Sequence, residues 1–237
     1  PCGFGIGDSL ISAYERAVSA DPVSYFGGIV GFNQKIDSKL AEKLIEPFLE
    51  CIIAPDVSEK ALEIFKKKKN LRVITLAQPD AFKELSIKSS AGGFVIQEKD
   101  TLNQDFESFN LVTQKKINEN EKRAMKIGWK IVKYVKSNAI VIANENQILG
   151  VGAGQMSRID SVKIAFRKMN EAGLSSCNAI LASDAFFPFP DSVELASSNG
   201  IQSIIQPGGS IKDEEVISKA DELNVSMVMT GTRHFYH

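Results

Sequence analysis

Short apolar runs alternate with stretches of helical periodicity along most of this chain, and that alternation constrains its fold more than any other feature. Strand candidates lie at Phe26 to Phe32, Cys51 to Ala54, Val73 to Ala77 and Phe94 to Gln97. Leu10, Ile11, Tyr14, Ala17 and Val18 repeat with helical spacing behind Asp8 and should stop before Asp21-Pro22. Leu40, Ala41, Leu44, Ile45 and Phe48 mark a second helix, and Ala61, Leu62 and Phe65 a third behind Ser58. Strands that alternate with helices imply an α/β protein with a largely parallel sheet covered on both faces. The lysine run Lys66 to Lys69 closes the third helix, where it reads as a solvated end that suits the helix dipole.

A polar stretch from Lys99 to Asn118 interrupts the pattern, and a long helix opens at Asn118 with Glu121 placed to complete a cap. A domain boundary is expected here, giving residues 1–117 and 118–237. Ala139 to Ala143 and Gln147 to Val151 flank Asn144-Glu145-Asn146 and read as a hairpin. The chain then runs through a strand at Ala179 to Ala182, a helix from Asp191, a strand at Ile201 to Ile205, a helix from Ser210 and a strand at Val225 to Met229.

Composition narrows the class of partner. With 237 residues, 43% of them hydrophobic and 24% charged, the chain can bury a full core. A net charge of −1 supplies no global positive field for nucleic acid or an acidic membrane, so small molecules or proteins are the expected partners. Cys2, Cys51 and Cys177 show no CxxC spacing, which argues against a disulfide framework and a structural zinc site and fits a cytoplasmic setting. No apolar run approaches the roughly 18 residues of a membrane span, and no charged-then-apolar leader is present. The chain begins at Pro1 without Met, as a fragment would.

Three polar constellations fall where such a fold places ligands, at strand ends and helix starts. In Gly150-Val151-Gly152-Ala153-Gly154-Gln155-Met156-Ser157-Arg158, glycines end a strand just before a helix, and free N–H groups with Arg158 would suit a phosphate. The spacing is not the dinucleotide fingerprint, and Ser157 with Asp160 would also serve as a plain capping pair. Gln206-Pro207-Gly208-Gly209-Ser210 is a second glycine turn, with Ser210 and Asp213 as a capping pair. The third, Asp184-Ala185-Phe186-Phe187-Pro188-Phe189-Pro190-Asp191, is either a packed corner or the wall of a site for a flat ligand. Asp191 can cap the helix that follows, with Glu194 reaching back. The end of the chain, Thr232-Arg233-His234-Phe235-Tyr236-His237, is aromatic, carries both histidines, and should pack back onto the body.

The segments PCGFG, DPVSYFGGIV, IIAP, VKSNAIV, GAGQMSRID, SDAFFPFPDSVELA, IQPGGSIKDEEVI and RHFYH, in that order, resemble the transformylase portion of the bifunctional AICAR transformylase/IMP cyclohydrolase family. The resemblance covers essentially the whole chain. It implies formyl transfer from 10-formyltetrahydrofolate to the 5-amino group of 5-aminoimidazole-4-carboxamide ribonucleotide (AICAR), in purine biosynthesis. The implied fold is a duplicated three-layer αβα unit of cytidine deaminase type without zinc, and the absence of CxxC and His-x-Glu agrees with that. The cyclohydrolase activity of the family resides in a separate N-terminal domain not in this chain.

By the same resemblance, Asn138 and His237 are catalytic. Arg158, Phe186, Phe189, Arg233 and Phe235 bind the substrate, and Asp191, Ser210 and Pro207 bind folate. A potassium ion would be held around Val132, Val135, Ser137, Asp184 and Tyr236, although Val135 and Ala139 lack hydroxyls. A homodimer is implied for the complete protein. The family also uses a Lys-His pair in a motif close to Lys-His-x-x-Pro-Cys-Gly, and this chain starts at Pro1-Cys2-Gly3. The pair expected upstream of Pro1 is absent, so the chain alone is expected to bind weakly and transfer little or no formyl group. A nucleotide-binding or regulatory module without chemistry is the competing expectation, and a zinc-dependent base deaminase a further one.

Overall fold

The computed structural model describes residues 1–76 and 85–237. In chain order the elements are α1 (Leu10–Ser19), β1 (Gly28–Gly31), α2 (Ser38–Leu44), β2 (Leu49–Ala54), α3 (Glu59–Phe65), β3 (Arg72–Thr75), β4 (Leu85–Ser90), β5 (Gly93–Glu98) and β6 (Asn110–Leu111). There follow α4 (Glu119–Val132), β7 (Ile140–Ala143), β8 (Ile148–Gly152), α5 (Arg158–Glu171), β9 (Ile180–Ser183), α6 (Asp191–Ser198), β10 (Ser203–Gln206), α7 (Asp213–Glu222) and β11 (Ser226–Met229).

These mixed α/β elements form two compact units, Gly27–Gln104 and the combination of Pro1–Phe26 with Asp105–His237. The division differs from one at residue 118, because pairing far along the chain claims both flanking segments for the larger unit. Gly5 bridges Gln147, and Ile148 N–H donates to the Phe4 carbonyl at 3.1 Å. On the other side β6 pairs antiparallel with β11, and the Thr113 hydroxyl accepts from Met227 N–H at 2.8 Å.

In the unit Gly27–Gln104, β1, β2 and β3 form a parallel sheet in that order, and β4 with β5 forms a separate antiparallel ribbon. Leu40, Ala41 and Leu44 of α2 and Ala61 and Phe65 of α3 are buried, as their spacing requires. The second helix stops at Leu44, and Phe48 is left exposed beyond Pro47. Proline has no N–H to give the helix and disfavours helical geometry in the residue before it. Ala77, the end of one expected strand, lies outside the described residues.

The larger unit contains a six-stranded sheet in the order β6-β11-β10-β9-β7-β8. It is mixed rather than largely parallel: β9, β10 and β11 run parallel, whereas β7 is antiparallel to both its neighbours. The hairpin explains the difference, since β7 and β8 are joined by a turn in which Asn144 Oδ1 accepts from the N–H groups of Asn146 and Gln147.

Side chains alternate across this sheet into two cores. Ile140, Ile142, Leu181, Ile204 and Met227 face one way, with Val162, Phe166, Val193 and Val216 from α5, α6 and α7. Val141, Ala143, Ile180, Ile205 and Val228 face the other, with Met125, Trp129 and Val132 of α4. The result is three layers, helix on sheet on helices, with both faces of every central strand removed from water. Gly150 and Gly152 let α5 approach β8 closely, because a Cβ at either would overlap the backbone of Ala165 or Ser161. Among the described residues no helix is long and apolar enough to cross a membrane.

The helix starts are specific. Asn118 and Glu121 close a full capping box on α4. Ser9 rather than Asp8 caps α1. Ser157 stands at the N-cap of α5 but makes no side-chain cap bond. Pro190 occupies the N-cap of α6, so Asp191 lies inside the helix and bonds the Ser192 N–H at 2.7 Å. Proline suits a helix start because its fixed φ and missing N–H cost nothing there. The last helix begins at Asp213, whose carboxylate accepts from the N–H groups of Gly209 and Ser210 in the preceding turn.

Asp21 ties the segment after α1 to α5 through Lys168 at 3.0 Å. Burial pushes its carboxyl up, but hydrogen bonds from Ser24 and Lys168 outweigh this and hold it below the ordinary carboxylate value. The unfolded chain therefore binds this proton more readily, so the contribution is present above the unfolded value and lost as pH falls through the folded one. Asp21→Asn is expected to remove about 1–2 kcal/mol at pH 7 and to flatten the acid limb below about pH 4, read from denaturant unfolding at several pH values.

Candidate functional site

The C-terminal ends of β9, β10 and β11 open at one edge of the larger unit's sheet, and most of the residues singled out from the sequence gather there. Antiparallel pairing places Ile140, the first residue of β7, opposite Ser183, the last of β9. Residues 137–139 and Asp184 are thereby neighbours, and Asp184 N–H donates to the Ala139 carbonyl at 3.2 Å. The end of β8 brings in the next segment, with Asn138 N–H donating to the Gln155 carbonyl at 3.3 Å. The Ser137–Asn138 peptide is cis.

At the centre lies a buried ion pair. Arg158 Nη1 is 2.6 Å from Asp184 Oδ1, with the side chains 6% and 0% exposed. The same nitrogen donates to Ser183 Oγ at 2.8 Å, and Nη2 donates to Asn138 Oδ1 at 2.8 Å. Asn138 Nδ2 donates to the carbonyls of Gln155 and Met156 at 2.9 and 3.1 Å. Ser137 Oγ donates to Asp184 Oδ2 and accepts from Tyr236 N–H at 3.0 Å. Ser137 N–H donates in turn to the Tyr236 carbonyl at 2.9 Å, and His234 N–H to the Asp184 carbonyl at 3.0 Å. One carboxylate, one serine and one guanidinium thus join the loop before β7, the start of α5 and the end of the chain.

The aromatic segment divides three ways. Phe187 is fully buried in the core, Phe186 is half-buried, and Phe189 is 52% exposed. The Arg233 guanidinium lies over the Phe186 ring, 4.7 Å from its centroid, and donates to the Gly209 carbonyl at 3.4 Å. Lys212 lies over Phe189 at 5.1 Å. The two cations set positive charge over the faces of these two rings, a feature that favours an electron-rich or anionic partner. Pro207 is buried and Ser210 half-buried in the turn beside these rings. Phe235 and His237 are exposed and stack on each other at 5.4 Å.

Arg158 stands apart from what its motif suggests. A phosphate ligand would need exposed donors, whereas this guanidinium faces protein acceptors inside the fold. The sequence reasoning missed Ser183, which bonds Arg158, and His234, which is buried and packs against Trp129 in a tilted arrangement, ring centroids 4.7 Å apart. The signal for Ser183 was its place beside Asp184 at a strand end. His234 carried no comparable signal, since it pairs with a residue more than a hundred positions away.

Val132 and Val135 are buried at the end of α4, and their backbone carbonyls and that of Tyr236 are hard oxygen donors of the type that suits an alkali cation. The Val132 carbonyl accepts from Val135 N–H at 3.1 Å and that of Tyr236 from Ser137 N–H at 2.9 Å, and the charge of Asp184 is matched by Arg158. Among the described residues no group of three or more His, Cys, Asp or Glu side chains could hold a metal ion.

A family model described as AICARFT/IMPCHase bienzyme matches residues 1–168. The chain belongs to that bienzyme family. It is 52% identical over its whole length to the "Bifunctional purine biosynthesis protein PurH" of Bacillus cytotoxicus, and 51% identical to the protein of the same description from Bacillus mycoides. It spans 46% of the length of each of these bienzyme relatives. A crystal structure of dCMP deaminase from the cyanophage S-TIM5 aligns with 45% of this chain and 94% of its own, at 14% identity and a TM-score of 0.33. A likeness that weak bears on neither fold nor activity.

Proposed function

We propose that this chain forms the formyl-transfer part of a bifunctional purine biosynthesis enzyme, using 10-formyltetrahydrofolate to formylate the 5-amino group of AICAR. The observation that carries the proposal is whole-chain identity of about half to proteins of that bifunctional description. The polar cluster around Asn138 and the cation-covered rings of Phe186 and Phe189 support this reading.

In this reading the heterocycle of the nucleotide lies against Phe186 and Phe189, with Arg233 and Phe235 completing its pocket and His237 closing it. Asp191, Ser210 and Pro207 flank the folate. Asn138 meets the reacting amine, whose nitrogen forms a bond to the formyl carbon while the bond from that carbon to folate N10 breaks. The amine proton passes to the leaving N10, giving the formamido nucleotide and tetrahydrofolate. A carboxamide does not take up a proton near neutral pH, so Asn138 orients the amine and proton transfer falls to a group outside this cluster. A potassium ion held by carbonyls near Ser137 would stiffen the loop before β7, and no step passes through it.

The parallel sheet β1-β2-β3 would represent a second copy of a zinc-free deaminase-like fold. The complete protein would be a cytoplasmic homodimer.

The test mixes the complete protein with AICAR and 10-formyltetrahydrofolate and follows the appearance of tetrahydrofolate. Transfer is expected, and Asn138→Ala should lower kcat about 10²- to 10³-fold. Binding of AICAR without any transfer would overturn the enzymatic reading in favour of a nucleotide-binding module.

A further inference from the structure

We propose that Asp184 is the positioning residue of this site, acting through Arg158 to hold the Asn138 side chain as a hydrogen-bond acceptor only. The consequence for catalysis rests on the formyl-transfer reading, whereas the geometry does not.

The argument starts from which way the Asn138 amide can point. On one side lie the carbonyl oxygens of Gln155 and Met156, which only accept, and on the other the Arg158 guanidinium, which only donates. Turning the amide over would set oxygen against two oxygens and N–H against N–H. The orientation is therefore forced by the neighbours. Both Nδ2 protons are spent on those carbonyls, and Oδ1 keeps one lone pair beyond the bond from Arg158. Asn138 can offer an incoming molecule an acceptor and nothing else.

Arg158 can impose this only if it is itself fixed. Nη1 is held by Asp184 and Ser183, which leaves Nη2 aimed at Asn138. Asp184 cannot swing away, because its second oxygen is bound by Ser137, which is in turn held by the Tyr236 backbone. A carboxylate with no solvent exposure thus sets, through one guanidinium, the direction of a lone pair at the half-buried edge of the site.

That lone pair suits a primary amine as it attacks a carbonyl carbon. As the amine nitrogen bonds to the formyl carbon it gains positive charge, and its N–H becomes a stronger donor. The bond to Oδ1 strengthens in the transition state relative to the ground state, which is the condition for raising kcat rather than lowering KM.

Arg158→Lys tests the relay, since lysine keeps a cation opposite Asp184 but replaces the planar fork with a single donor centre. In the complete protein, kcat for formyl transfer should fall about 10- to 100-fold while the KM for AICAR moves less than about 3-fold. Hydrogen exchange of the Asn138 side-chain amide, followed by NMR, should be slow in the natural protein and faster in the variant. An unchanged kcat in a folded variant would overturn the positioning role. So would natural Asn138 amide protons that exchange as fast as those of a free carboxamide. Where the variant does not fold, exchange in the natural protein decides alone. If the natural protein transfers no formyl group, that failure falls on the functional reading, and exchange still decides the relay.

Discussion

Replacing Arg158 by methionine is expected to lower the stability of the larger unit by about 3–5 kcal/mol. The substitution leaves the Asp184 carboxylate fully buried with the Ser137 hydroxyl as its side-chain partner and no opposing charge. Moving a charged group out of water is costly, and what offsets that cost here is the guanidinium at 2.6 Å together with its further bonds to Ser183 and Asn138. Changing Asp184→Asn in the same protein removes the orphaned charge and should bring stability back to within about 2 kcal/mol of the natural chain, since a neutral pair in place of a buried ion pair is often tolerated. Trp129 is the sole tryptophan and is buried in the same unit, so its fluorescence reports urea unfolding of that unit directly. Equal losses for the single and double variants would mean that the ion pair is not what holds this corner together.

Gly152→Ala is expected to cost about 2–4 kcal/mol, because overpacking against backbone cannot be relieved by turning a side chain. A Cβ at this position would overlap the carbonyl, and crowd the Cα, of Ser161 in α5. The helix would have to move away from β8, carrying Arg158 at its start and Ser161, whose hydroxyl bonds the Asn138 carbonyl at 2.8 Å. The Asn138 cluster should therefore loosen along with the core. Gly173→Ala supplies the comparison: it has a left-handed φ of +68° and open space around the missing Cβ, and should cost only about 1–2 kcal/mol. Thermal melting of both variants separates the effects, and a Gly152 variant no worse than the Gly173 variant would show that the close approach of α5 can relax freely.

Helices and strands were legible wherever periodicity was strong. Leu10 to Val18, Asn118 with Glu121, and the hairpin around Asn144-Glu145-Asn146 lie where the pattern puts them, because local burial and capping decide such elements. What the pattern could not carry was long-range pairing. The two-residue strand β6 has no alternation to detect, and its membership of the larger sheet depends on a partner over a hundred residues away. The Pro-rich segment has no period at all, so nothing local distinguishes the buried Phe187 from the exposed Phe189. Arg158 and Asp184 were each visible as site residues, but their pairing, across 26 positions from the start of α5 to the residue after β9, was not. Sequence neighbours made the glycine turn look like an anion cradle, and tertiary pairing made its arginine an internal strut.

The mixed order of the larger sheet also bears on how quickly the site can assemble. The β7–β8 hairpin joins strands only a few residues apart, and it carries Asn138 at one end and leads into Arg158 at the other. Such local contacts close early, whereas parallel strands must wait for their crossover helices and for the loss of chain entropy those long connections bring. Asp184 arrives only with β9, and the tail that Ser137 holds follows after β11. A newly collapsed chain would thus present Asn138 and Arg158 before the carboxylate that orders them, and the acceptor geometry of the site would be among the last features of the unit to form.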